Sequence, residues 1–267
     1  MKNSSSPKSK KLLFIVDMQN DFCLPDGKLS VPDAMSDAER LAEFIQKKSN
    51  DIDAIYLTQD SHQVSDIAHP SFWTDEEGNH PPVFTSITKE DMDSNKWKTK
   101  NPDHQDWAEF YISELQNQDE FTHVIWPEHC ISGSNGEAIV KPVMDAVEAW
   151  ARQGNFYDVF RKGTNPYTEH FGAFKANVIV TGAVETSLNK ELIDRLKDFD
   201  SIYIAGEAKS HCVATTVKQL LEYKEIVPKL ILLEDCMSDV SGFENFAQAI
   251  YDQAITMGAQ MLKSSDI

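Results

Sequence analysis

The chain reads as an α/β protein: an open, doubly wound, mainly parallel sheet with helices on both faces. Three observations carry that expectation. Six short runs rich in Ile, Val, Leu and aromatic residues are unbroken rather than alternating, as strands covered on both faces are. Amphipathic stretches of helical period stand between most of them, and strand taking turns with helix means βαβ units. The chain has 267 residues, 41% of them apolar, enough to bury a sizeable core in one large domain.

The elements follow in order. Met1 to Lys11 is polar and basic, so residues 1–10 are expected to form a disordered tail and residues 11–267 a single domain. The first strand, Leu12–Val16, stops at Asp17 after five apolar residues. That is short of the roughly 7–15 of a signal peptide and the ~20 of a membrane span, so a soluble cytoplasmic protein without membrane partners is expected. Strands then fall at Ala54–Thr58, His123–Trp126, Phe156–Phe160, Ile202–Ala205 and Leu230–Leu233, with helices over Pro32–Lys48, Glu137–Gln153, Ser187–Lys197, His211–Tyr223 and Phe243–Met257. Thr74 to Phe121 breaks the rhythm. It is acidic and polar, contains Pro81-Pro82 and one helical stretch near Asp106–Gln116, and reads as an insertion at about 74–121. With Phe84, Trp97, Trp107, Phe110 and Tyr111 available to bury, it is expected to form an ordered cover over the pocket rather than a structureless loop.

The charge excludes one class of partner. With 25 Lys+Arg against 43 Asp+Glu, the net charge is −18, whereas binding to a phosphate backbone rests on Lys and Arg displacing counterions; nucleic acid is not expected. Cys23, Cys130, Cys212 and Cys236 lie far apart with no CxxC pair, which suggests neither a disulfide framework nor a zinc ribbon.

In open parallel sheets the ligand site lies beyond the carboxyl ends of the strands, and the residues found there are chemically biased. The first strand runs into Val16-Asp17-Met18-Gln19-Asn20-Asp21-Phe22. The second runs into Asp60-Ser61-His62, with His69 further on. Later runs end in Trp126-Pro127-Glu128-His129-Cys130, in Arg161-Lys162-Gly163 and in Ser210-His211-Cys212. Alone, Asp17 reads as a turn residue, Lys162 as a solvated charge and Cys212 as a small buried hydrophobe. Together at neighbouring strand ends they make a nucleophilic site. Cys212 opens a helical stretch, where the dipole and a nearby lysine favour the thiolate, and a carboxylate can move the proton. Asp60, His62, His69 and His129 form a second cluster: one carboxylate with three imidazoles suits Zn, with Fe or Mn also compatible, and leaves positions for water.

These blocks resemble the signature segments of nicotinamidases, members of the isochorismatase-like cysteine hydrolases, in the same order from about residue 11 to 240. The resemblance implies that Cys212 attacks a carboxamide carbonyl, that Asp17 carries the thiol proton to the departing ammonia, and that Lys162 supports both. It implies a cis peptide between Glu207 and Ala208, with the backbone N–H groups of Ala208 and Cys212 forming an oxyanion hole. Asp60, His62, His69 and His129 would hold one divalent transition metal, and Phe22, Trp126 and Phe171 would line the substrate pocket. Two departures stand out: the 57 residues from His69 to Trp126, and His170-Phe171 near where many relatives carry a pocket tyrosine. Both bear on the substrate and neither touches Asp17, Lys162 or Cys212, so the resemblance implies the chemistry more firmly than it implies nicotinamide, which is the leading substrate. Another small amide or a ureido or carbamoyl compound, a hydrolase using metal-activated water, and a non-catalytic binding protein remain alternatives, and a homo-oligomer stays open.

Overall fold

A computed structural model describes residues 9–118 and 122–267. Most of the expected tail lies outside the described residues, and Lys10, at its end, donates its N–H to Asp200 Oδ2 (2.8 Å) just before the sheet begins. Six strands form that sheet: β1 Lys11–Val16, β2 Ala54–Asp60, β3 Tyr157–Lys162, β4 Ser201–Gly206, β5 Leu230–Leu233 and β6 Gln260–Leu262. Their order is β6-β5-β4-β1-β2-β3 and every pairing is parallel. The chain begins in the middle, builds outward to β3, then returns to the other side of β1 and builds outward to β6. The reversal makes the junction of β1 and β4 the switch point, where the loops leaving the two strands part and open a crevice.

Alternate residues of β1 face opposite layers, as the strand period requires. Leu12, Phe14 and Val16 pack with Leu192, Leu196, Val217, Leu220 and Tyr251 from helices Lys190–Leu196, Ala214–Leu220 and Gln248–Thr256. Leu13 and Ile15 pack with Ala38, Leu41, Ile45, Val147 and Trp150 from helices Ala34–Lys47 and Lys141–Ala151. Helices thus cover both faces, as the unbroken apolar strands imply. Where β1 and β4 meet, only glycine fits: Gly206 has φ +137°, and a Cβ there would stand 2.0 Å from the Val16 carbonyl oxygen, so the two strand ends can close up.

Two elements differ from expectation. His123–Trp126 adds no strand to the main sheet. His123–Val124 pairs antiparallel with Ser86–Ile87 instead, because the segment belongs to a third, smaller core built around the insertion. The edge strand β6 was not expected, its three residues being too few and too exposed to form an apolar run.

Within the insertion, Trp73–Thr74 pairs with Lys98–Thr99, and Thr88 and Asp91 cap helix Lys89–Asp93 reciprocally, a start signal that fixes its first turn. Helix Gln105–Asn117 follows. Trp73, Ile87, Met92, Trp97, Tyr111 and Ile112 pack together with Ile67 and Ile125, while Phe84 and Phe110 stay exposed. Among the described residues, no helix is long and apolar enough to cross a membrane.

Candidate active site

The residue after β1, Asp17, is fully buried and takes φ +45°, a backbone region that non-glycine residues seldom occupy outside turns and functional sites. Thr58 on β2 fixes it twice: Thr58 Oγ1 donates to Asp17 Oδ1 (2.6 Å) and accepts from the Asp17 N–H (3.1 Å). Asp17 Oδ2 meets Lys162 Nζ at 2.8 Å. Lys162 ends β3, also contacts Asp60 Oδ1 at 3.1 Å, and donates to Cys212 Sγ at 3.8 Å. One buried ammonium therefore joins the ends of β1, β2 and β3 to the cysteine. Cys212 lies in the π-helical turn Lys209–Val213, which leads from β4 into helix Ala214–Leu220; such wide turns recur at functional sites.

Burial sets the electrostatics of this trio. It opposes charge on Lys162, but Asp17 and Asp60 outweigh it and hold the ammonium well above its ordinary range. Burial raises the Asp17 carboxyl against the pull of Lys162, with Asp60 adding to the rise. Burial also raises the Cys212 thiol well above its usual value; Lys162 pulls it down, but Asp17 and Asp60 push it back up. The sequence expectation of a ready thiolate is thus reversed, because desolvation and two carboxylates outweigh the helix start and the lysine. The result is a protonated thiol against an unusually basic carboxylate.

The second cluster gathers Asp60, His62 and His129, whose ligand atoms lie within 4.8 Å of one another and are all buried. Asp60 is steadied by Gln19, which donates to its carbonyl and accepts from its N–H, both at 2.8 Å. Gly163 makes room for it: with φ +71°, this residue leaves empty a place where a Cβ would stand 2.4 Å from Asp60 Oδ1. His62 and Ile131 form a bridge between loops, and Asp21 Oδ2 accepts from the Cys130 N–H at 2.7 Å; these contacts fix the loop that carries His129. His69, the fourth expected ligand, is buried beside the group, its Nε2 3.3 Å from His129 Nδ1 and its ring centroid 5.1 Å from that of His62.

The chemistry of the donors fits a divalent metal. His62 Nδ1 is held by Asp66 Oδ2 (3.1 Å), His69 Nδ1 by the Gln63 carbonyl (3.0 Å) and His129 Nδ1 by the Pro127 carbonyl (2.8 Å). Fixing Nδ1 orients the rings, as around metal-ligating histidines; His62 Nε2 then lies 3.1 Å from Asp60 Oδ2. Burial opposes charge on His62, but Asp60 and Asp66 outweigh it and hold its ring well above the ordinary value. Burial, with the neighbouring His62 and His69, holds His129 well below it.

The crevice at the switch point is lined by Phe22, Leu29, Asp60, Trp126, His129, Glu169, Phe171, Ala208, His211, Cys212 and Val240. The expected pocket aromatics Phe22, Trp126 and Phe171 are all there. So are Ala208 and Cys212, on a loop whose Glu207–Ala208 peptide is cis. None of the described residues 74–118 lines the crevice; Phe84 of the insertion meets Trp126 edge-on at 6.0 Å. Sequence reasoning missed Leu29 and Val240, which lie in loops without periodic pattern. It also missed Glu169, seven positions after Lys162, and the placing of His211 among Trp126, Phe171, Phe243 and Phe246.

No protein-family model matches the chain. Over nearly its whole length the chain is similar in fold to solved nicotinamidase and pyrazinamidase structures. The structure of yeast nicotinamidase bound to the inhibitor nicotinaldehyde covers 95% of this chain and 99% of its own, with a TM-score of 0.64 and 21% identity. Pyrococcus horikoshii pyrazinamidase in complex with zinc matches with a TM-score of 0.55 and 19% identity, covering 95% and 99%. In sequence, the nicotinamidase of Saccharomyces cerevisiae is 27% identical over 220 residues, 81% of this chain and 85% of that protein.

Proposed function

We propose that the protein is an amidohydrolase that converts a small aromatic carboxamide, nicotinamide first, to the acid and ammonia through a thioester on Cys212. The observation that carries this reading is the single buried ammonium of Lys162 in contact with Asp17, Asp60 and Cys212, at an aromatic-lined crevice.

The roles follow from position. As Cys212 Sγ attacks the carbonyl carbon, its proton passes to Asp17, whose raised basicity matches the task. The oxyanion forms where the backbone N–H groups of Ala208 and Cys212 would stabilise it, an arrangement commonly worth ~3 kcal/mol per donor. Collapse breaks the C–N bond, and Asp17 returns the proton to the leaving nitrogen, which departs as ammonia. Water then adds to the thioester, giving one proton to Asp17; the C–S bond breaks, the acid leaves and the proton returns to sulfur. Lys162 keeps the alternating charges on Asp17 and Cys212 paired throughout.

Phe22, Trp126 and Phe171 would hold the ring. Asp60, His62 and His129, with His69 beside them, would hold one divalent metal, zinc suiting the donors best and iron or manganese also fitting. When bound, the metal supplies a Lewis-acid position for a ring nitrogen or an oriented water. The test is a screen of small carboxamides for ammonia release, with and without added divalent metals. Release from nicotinamide ahead of aliphatic amides supports the reading; no release from any carboxamide in either condition removes it.

A further inference from the structure

The loop that leaves β3 runs from Lys162 to the aromatic wall of the crevice. Among the described residues, 163–183 hold no helix or strand, yet Phe171 of this stretch lines the crevice. A segment without its own ladder of hydrogen bonds samples many conformers, and holding a wall residue in one of them costs backbone entropy unless the loop is tied down. Part of the tie is local. The Phe171 N–H donates to Asn177 Oδ1 (3.1 Å) and the Asn177 N–H to the Glu169 carbonyl (2.8 Å), which closes the loop on itself but leaves its place on the protein to other contacts.

Those contacts come from the insertion and converge on Tyr167. Trp107 Nε1, in helix Gln105–Asn117, donates to the Tyr167 carbonyl at 2.7 Å. The Tyr167 hydroxyl stands 3.1 Å from His104 Nε2, and the two rings meet edge-on at 5.0 Å. Phe72 completes the group, stacked on His104 at 5.6 Å and edge-on to Tyr167 at 6.4 Å. Tyr167 is thus held at once through its carbonyl, its hydroxyl and its ring, against the small core of the insertion.

Building on the amidohydrolase reading, we propose that Tyr167 is a positioning residue: clasped by Trp107 and His104, it sets the place of Phe171 in the crevice wall and thereby the binding of the substrate ring. The insertion then serves the site as a brace from behind the wall. Lys162 is held independently, by the pairing of β3 with β2 and by Asp17 and Asp60. Loosening the clasp therefore weakens ring binding and spares the bond-making step.

The test is steady-state ammonia release from nicotinamide by metal-containing protein, with hydrogen exchange of residues 164–171 followed in parallel. Tyr167→Ala should raise KM by about fivefold or more with kcat within about twofold, and should quicken exchange in 164–171 but not in β3. Tyr167→Phe, which keeps the ring and the carbonyl, should recover most of the loss. Met92→Ala, a cavity in the same core, controls for lost stability: it should lower the melting temperature yet leave KM within about twofold. Trp107→Phe, which removes the indole N–H, decides the matter where Tyr167→Ala fails to fold, with KM expected to rise about twofold to threefold. An unmoved KM in the clasp variants, a fall in kcat alone, unchanged exchange in 164–171, or an equal KM rise in Met92→Ala would each overturn the proposal while the amidohydrolase reading stands. Wild-type protein that releases no ammonia overturns that reading, and the proposal with it.

Discussion

Lys162 is the residue on which the site turns, because removing its charge takes from the buried Asp17 and Asp60 the ammonium that they share. Lys162→Ala and Asp17→Asn are each expected to lower kcat roughly 10³-fold or more, and the double variant to be little worse than either single, as for groups that act as a unit; steady-state ammonia release checks this, and losses that multiply would separate the two roles. Gly163 is the quieter test. Gly163→Ala forces a side chain onto a φ of +71° and into Asp60 Oδ1, so the variant is expected to retain less metal by elemental analysis while its thiol content stays unchanged. Asp17, Asp60, Lys162 and Cys212 were legible in the sequence because each stands at or just beyond the end of an apolar run, and strand ends in such sheets converge. His129 also came out close to Asp60, although its segment is not a strand of the main sheet; a bridge from His62 to Ile131 does the positioning. Glu169 was not legible, since nothing in a loop's composition says which of its side chains turns inward.

At the scale of elements, the insertion is the part that sequence resolved least. Its fold depends on contacts between residues far apart in the chain, such as Trp73, Trp97 and Tyr111, and local periodicity reveals only helix Gln105–Asn117. His123 lies within this small core, its Nε2 2.9 Å from the Ile67 carbonyl, and burial lowers its pKa to about 4. The unfolded ring, with a pKa near 6.5, binds a proton before the folded one does. The contribution of the neutral ring is therefore complete above about pH 6.5 and is lost as the pH falls toward 4, a change of order 3 kcal/mol. Denaturant unfolding followed from pH 7 to 4.5 should show a shallower loss of stability in His123→Gln than in the wild type. A cover role for this segment is a proposal, and it would act through Phe84 against Trp126. Phe84→Ala should then shift relative kcat/KM among carboxamides; an unchanged profile would leave the segment a packing element alone.

At the scale of the molecule, the order β6-β5-β4-β1-β2-β3 brings together chemistry that the sequence scatters from Asp17 to Cys212. The strand–helix rhythm was enough to expect this, because handedness and parallel pairing leave few ways to wind such a chain. The metal cluster ties the loops after β2 to those before β3, so metal is expected to stabilise the folded state as well as the site. Chelation should lower the melting temperature and zinc should restore it, the size following mass action on the folded state; a melting curve indifferent to both would make the histidines polar packing.

The central claim is that the bond to the substrate forms at Cys212 rather than through a water activated by the metal. The most direct test measures ammonia and nicotinate released from nicotinamide by wild-type and Cys212→Ala proteins at matched metal content and matched folding. Equal yields of the two products from the wild type, and loss of nearly all turnover in the variant, are the predicted result. A variant that still turns over nicotinamide at a comparable rate, and stops only on chelation, would contradict it.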